Sequence, residues 1–266
     1  MTAIQRPQYR HLRIERSGER GAIVTITLAR PDRKNALGPV LINDLLWALD
    51  DARDDPAVRV IVLAGEGKAF CAGADLREML EPDPDGTLAA RGDFGDLLLR
   101  FPKLHKPTIA KVHGVALGGG LGLAASCHFA IAAESAQLGT PEVLRGLFPM
   151  QIMAVLERLV PRRKLIEMML LGRTVAAREA ETLGLITRAV ADAELEREVD
   201  ALAQQLASHA PVAIQRGLAA HEATTDKAFE EAVPYLREQL ASLLAHPDAM
   251  EGLAAFLQKR KPHWKG

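Results

Sequence analysis

The residues of this chain that could do chemistry fall in three short runs. The densest is His113-Gly114-Val115-Ala116-Leu117-Gly118-Gly119-Gly120-Leu121-Gly122. Three consecutive glycines follow a strand-like run and open a helix-like one. Glycine lets a ligand approach the main chain closely and leaves N–H groups unobstructed. A helix N-terminus adds the positive end of a dipole. The combination suits a phosphate, or an oxyanion developing on a thioester carbonyl. It suits a tightly packed turn equally well. It is not the GxGxxG dinucleotide fingerprint, and no acidic residue stands where a ribose would need one.

The second run is Phe70-Cys71-Ala72-Gly73-Ala74-Asp75-Leu76. Small residues after a buried strand expose backbone N–H groups again, and Asp75 can cap the helix that follows. Alone, this run reads as a strand-to-helix cap. An oxyanion hole, however, needs two converging donors from separate segments, and the chain offers two such segments. The third run is Gly139-Thr140-Pro141-Glu142. Its carboxylate reads either as a surface cap or as a general acid/base.

Those runs need elements to position them. Gly21 to Leu28 and the apolar run Val58 to Leu63 read as strands, as do Pro107 to Val112 and His128 to Ala132. Ile42, Leu45, Leu46 and Leu49 recur at helical spacing, so 39–51 reads as an amphipathic helix. Short helices are expected over 76–80 and from Asp93 to Phe101, and a buried one over 121–126. From Val155 onward the pattern is mostly helical, apart from 184–190, where a strand-like ITRAV follows a glycine break. Pro247-Asp248 restarts a helix with Asp248 as its expected N-cap. An α/β part is therefore followed by a helical tail.

Composition bounds the function. Lysine plus arginine total 33 against 34 acids, a net charge of -1. That balance gives no electrostatic case for nucleic acid or an anionic membrane. Hydrophobic residues are 48% and charged residues 25% of the 266, as in a globular domain. No apolar run approaches a bilayer span, and Met1 to Arg20 carries no secretory h-region. The expected compartment is the cytoplasm, with Cys71 and Cys127 reduced.

In this order and spacing, the three runs resemble the enoyl-CoA hydratase/isomerase (crotonase) family. RPDRKNAL (30–37), GKAFCAGADL (67–76), IAKVHGVALGGGLGLAAS (109–126), AQLGTPEVLRGLFP (136–149) and FLQKRKPHWKG (256–266) carry the resemblance. It implies a right-handed spiral of ββα turns with a C-terminal helical trimerisation region. The chain then divides into an acyl-CoA-binding core over 1–195 and a trimerisation region over 196–266. It also implies an acyl-CoA thioester substrate and a homo-trimer or a dimer of trimers. No metal or redox cofactor is expected, coenzyme A being part of the substrate. The implied oxyanion donors are the main-chain N–H groups of Ala74 and Gly119.

Two glutamates do acid/base work in the family's hydratases. One matches Glu142. The other falls at Gly122, and this is the main departure. Hydration needs a water aligned on Cβ and a proton delivered to Cα. Isomerisation of a 3-enoyl to a 2-enoyl thioester needs one base moving one proton, so the site chemistry leans to isomerisation. Two alternatives stand beside it: a single-glutamate hydratase for a bulky or branched acyl group, and an acyl-CoA-binding paralogue without catalysis.

The absent side chain at Gly122 is expected to leave room for the acyl group, lined by Leu144 and by Phe148, Met150 and Met153. Met153 reads more simply as core packing. By resemblance the backbone of Lys68, Ala69, Ala72, Asp75 and Leu76 borders the adenine and pantetheine, with Gly118 beside the donor. Arg77 matches a basic position near the ribose 3′-phosphate, and Lys259 one that reaches CoA phosphates, often from a neighbouring subunit. Glu81, Asp83, Asp85 and His128 are weighed as substitutes for the missing acid. The acids read better as surface groups, and His128 and His113 as structural hydrogen-bonding residues. Cys71 reads as packing.

Overall fold

A computed structural model describes residues 9–81 and 88–265. Nine strands are present among them: β1 Leu12–Ser17, β2 Ile23–Leu28, β3 Val60–Gly65, β4 Thr108–Val112, β5 Val115–Leu117, β6 Phe129–Ala133, β7 Gln137–Gly139, β8 Thr174–Ala176 and β9 Arg188–Val190. Six of them form one sheet in the order β1-β2-β3-β4-β6-β9. Only the β1–β2 pair is antiparallel there. The other three form a second sheet, β5-β7-β8, with β5 and β7 parallel.

Buried apolar runs such as Val60-Ile61-Val62-Leu63 make the central strands, because both faces of that sheet are covered. Helix α1 (Pro39–Asp54) lies on one face. Pro39 at its first turn favours helix entry, and Leu41, Leu45, Leu46 and Leu49 are buried. Each such leucine stabilises the fold by roughly 1.5–3 kcal/mol. Short helices α2 (Leu76–Leu80) and α3 (Phe94–Leu98) follow, then α4 (Gly119–Ser126), α5 (Met150–Leu156), α6 (Arg162–Leu171) and α7 (Ala177–Thr182).

The opposite face is covered by α8 (Leu195–Ala207), whose Leu195, Val199 and Ala203 pack on Ile23, Val60, Val62, Ile109 and Ile131. A division of the chain at 195/196 therefore cuts just inside a helix that packs on the sheet. Helices α9 (Pro211–Thr224), α10 (Phe229–Leu244) and α11 (Pro247–Leu257) pack chiefly on one another. The cap of α11 is His246 rather than Asp248. His246 Nδ1 accepts from the Asp248 amide, while Asp248 Oδ1 accepts from Lys265 N. Among the described residues no helix is long and apolar enough to cross a membrane.

The chain crosses from the large sheet to the smaller layer three times. After β3, Cys71 bridges Ala116; β4 passes into β5; β6 passes into β7. A further bridge joins Leu37 to Ala74. The smaller layer thus stacks Leu37, residues 71–74, 115–117 and 137–139 side by side. The last three of these run directly into Ala74, Gly118-Gly119 and Thr140-Glu142. All three chemistry-bearing runs leave the same edge.

Candidate active site

Glycines permit the packing at that edge. Gly73 has φ +96°, and a Cβ there would lie 2.7 Å from the Leu117 carbonyl and 3.6 Å from the Gly119 amide nitrogen. The two loops are therefore in direct contact. In the parallel bridge, Leu37 N donates to Gly73 O, and Asp75 N donates to Leu37 O. The N–H of Ala74, between those two, must point to the other side, away from Leu37. Among the described residues neither the Ala74 nor the Gly119 amide donates to a protein acceptor. Ala74 is exposed and Gly119 half-buried, so both main-chain donors are reachable.

Asp75 does what its position predicts: Oδ1 accepts from Arg77 N and Glu78 N and caps α2. Its side chain is 6% exposed and pairs with the buried Arg30 guanidinium at 3.3 Å. Arg30 also pairs with Glu78 and donates to the Ala36 carbonyl at 3.1 Å. Asn35, fully buried at φ +56°, accepts from Arg30 N and donates to the Glu66 and Ala69 carbonyls at 2.9 and 2.8 Å. The polar break at 30–35 is thus the brace of the Ala74 loop. Side-chain chemistry alone gave no signal of that role, because its partners are backbone carbonyls far along the chain.

Glu142 stands in a turn of 3-10 helix over Pro141–Arg145. A Cβ on Gly118, at φ +50°, would lie 2.7 Å from Glu142 Oε1. The carboxylate therefore rests on the glycine next to Gly119. Burial raises its pKa; its own backbone amide and Arg145 counter this in part. Oε2 is buried without a hydrogen-bond partner among the described residues, as is Thr140 Oγ1. A half-buried carboxylate held beside two free amides can exchange a proton with a carbon acid whose oxyanion those amides bind.

Position 122 departs from expectation. A Cβ added there would land on Ile152 Cγ2, with Ile152 Cβ at 3.1 Å and Phe94 Cζ at 3.6 Å. The same Phe94 ring lies 3.3 Å from a Cβ at Gly119. The absent side chain leaves no room; Ile152, 3% exposed, fills it. The residues expected to line that room also divide differently. Leu144 and Met150 are 69% and 66% exposed, while Phe148 and Met153 pack against the core.

Phe94 reaches the site because the segment before it is clamped to one face of α1. Asn43 Nδ2 and Trp47 Nε1 donate to the Ala89 carbonyl, and Arg91 stacks on the Trp47 ring at 3.4 Å. Buried Asp50 pairs with Arg91, Arg53 and Arg100. Asp93 then starts α3 with a capping box.

The remaining candidates spread along the rim. Lys68, Leu76 and Arg77 are exposed, Ala72 donates its amide to Lys34 O, and Ala69 is buried with its carbonyl on Asn35. Lys259 is exposed beyond α11, and among the described residues no contact joins it to this edge. Glu81 is exposed; Asp83 and Asp85 lie outside the described residues. His128 Nδ1 meets the Thr108 hydroxyl at 2.8 Å and His113 Nε2 meets the Gly67 carbonyl at 2.9 Å, both structural contacts. Cys71 is fully buried, and burial pushes its thiol up to about 12.

The Enoyl-CoA hydratase/isomerase family model matches residues 18–266. The chain belongs to the enoyl-CoA hydratase/isomerase family. A Rhizobium meliloti protein named "Probable enoyl-CoA hydratase" is 40% identical over 259 residues, 97% of this chain and 98% of that one. A Salmonella typhi carnitinyl-CoA dehydratase is 37% identical, covering 92% of this chain and 96% of its own. The crystal structure of a Geobacillus kaustophilus enoyl-CoA hydratase superposes with a TM-score of 0.87 at 34% identity, over 98% of this chain and 100% of that one. The fold is accordingly the α/β crotonase fold, with two sheets and C-terminal helices. This member is an enoyl-CoA hydratase/isomerase family enzyme, and the family implies an acyl-CoA substrate.

Proposed function

We propose that this enzyme isomerises 3-enoyl-CoA to 2-enoyl-CoA thioesters with Glu142 as its single acid/base. The observation that carries the reading is the filled position 122, which leaves Glu142, among the described residues, as the carboxylate beside the two free amides. Glu142 removes a proton from C2 of the 3-enoyl thioester. The electron pair moves through the conjugated system, and the resulting dienolate oxygen accepts hydrogen bonds from Ala74 N and Gly119 N. Glu142 returns the proton to C4, and the double bond now joins C2 and C3. Atoms and charge balance with no other reactant. A pair of fixed donors of this kind contributes roughly 3–4 kcal/mol per donor to such a transition state.

Binding follows from the rim. The main chain at Lys68, Ala69, Ala72, Asp75 and Leu76 borders the adenine and pantetheine, and Gly118 lies under the reacting carbons. Arg77 faces the ribose 3′-phosphate. Lys259 reaches CoA phosphates from a neighbouring subunit of a homo-trimer or dimer of trimers in the cytoplasm. Exposed Phe229, Leu240, Met250 and Phe256 on the last two helices support such self-association.

A second reading, 2-enoyl-CoA hydration through one water held by Glu142, is favoured by the names of the hydratase and dehydratase relatives. The filled position 122 removes one ground for a branched substrate. Offering trans-3-hexenoyl-CoA and crotonyl-CoA separately, with Glu142→Gln as control, tests both readings by ultraviolet absorbance. Gain of conjugation from the 3-enoyl substrate alone supports isomerisation. Loss of conjugation from crotonyl-CoA supports hydration. Silence on both, with acyl-CoA still bound, moves the weight to a bulkier acyl group or to the non-catalytic paralogue.

A further inference from the structure

Gly119 and Gly122 share one face of α4, and that face is paved by apolar groups from three separate segments. Leu37 Cδ1 and Phe94 Cζ stand 3.1 and 3.3 Å from a Cβ at Gly119. Ile152 and Phe94 meet a Cβ at Gly122. Ile152 is held there by α5, which packs along α4 and buries Ile152 and Leu156. No polar side-chain atom is among the nearest neighbours of either position. A carboxylate at 122 would enter apolar surroundings already filled to contact, at a cost in both overlap and desolvation.

We infer that Ile152, supported by Phe94, is the specificity-determining residue of this site: it fills the space of a second acid and keeps water from that flank. Hydration adds a water oxygen to Cβ and a proton to Cα, so it needs a water placed and deprotonated between two polar groups. Ile152 offers that water a methyl group, whereas proton movement from C2 to C4 on Glu142 needs nothing on this flank. The inference rests on Glu142 as the proton carrier.

A double-mutant cycle tests it. Gly122→Glu, Ile152→Ala and the double variant are compared with the parent for crotonyl-CoA hydration, 3-hexenoyl-CoA isomerisation and thermal melting. Gly122→Glu alone is expected to melt lower and to gain no hydration. The double variant is expected to recover part of that melting loss and to hydrate at least tenfold faster than either single variant. A Gly122→Glu enzyme that hydrates as fast as the double variant, or melting shifts that simply add, overturns the role of Ile152. Glu142→Gln, assayed alongside, separates the two claims. Turnover that survives it overturns the reading of Glu142, and coupled melting between 122 and 152 still supports the filled space.

Discussion

Arg30 and Asp75 form a buried ion pair at 3.3 Å, each side chain under one-tenth exposed, and it ties the loop after β2 to the residue beside Ala74. Asp75 also caps α2, so one carboxylate serves two segments. Replacing it with alanine removes the cap and leaves the guanidinium one partner short. The expected loss is on the order of 3 kcal/mol. Urea unfolding of Asp75→Ala checks it, and a loss under about 1 kcal/mol would show that the pair is dispensable.

Gly118 carries the Glu142 carboxylate against its Cα, at a φ of +50°. Gly118→Ala meets both a strained backbone and a 2.7 Å contact with Oε1. The carboxylate must shift, and a shift near 1 Å costs about 100-fold in rate. We expect kcat to fall by about that factor while acyl-CoA affinity, measured by calorimetry, changes little.

Burial raises the pKa of Glu142 above its ordinary 4.5, and as the proposed base it must be ionised to act. The isomerisation rate should therefore fall as pH drops through a value above 4.5. An inflection in kcat/KM at or below that value would contradict the assignment. The same shift has a stability sign. A raised folded-state pKa contributes stability at low pH that is lost as pH rises through it. Glu142→Gln, which does not ionise, should melt above the parent at pH 8 and level with it at pH 4.

Cys71 lies under the Ala74 loop, and its thiol is pushed up to about 12 by burial. Iodoacetamide at pH 8 should leave it unmodified in the folded enzyme and alkylate it in urea, as read by peptide mass mapping. Rapid modification of the native protein would mean that the loop opens.

The sequence was most legible where burial is periodic or continuous. Leucines at helical spacing marked α1, and unbroken β-branched runs marked the central strands. β1 escaped because LRIERS is an edge strand with one buried residue. β5, β7 and β8, at three residues each, are too short to show a period. The small-residue runs that hold the free amides of Ala74 and Gly119 were legible, although residue type alone left a tight turn or a helix cap open and only the family resemblance singled out those two amides. What fills Gly122 was not. A glycine has no side chain to reveal its neighbours, and Ile152 and Phe94 reach it only through tertiary packing.

That packing bears on how such a site can change. With Ile152 in place, a glutamate arriving first at 122 meets a filled space, while a smaller residue arriving first at 152 opens a cavity costing a few kcal/mol. On the reading of Ile152 given above, the two substitutions are useful only together, and only the second order avoids the overlap at 122. Position 122 is thus epistatically locked, and a library that randomises it alone would recover mainly glycine.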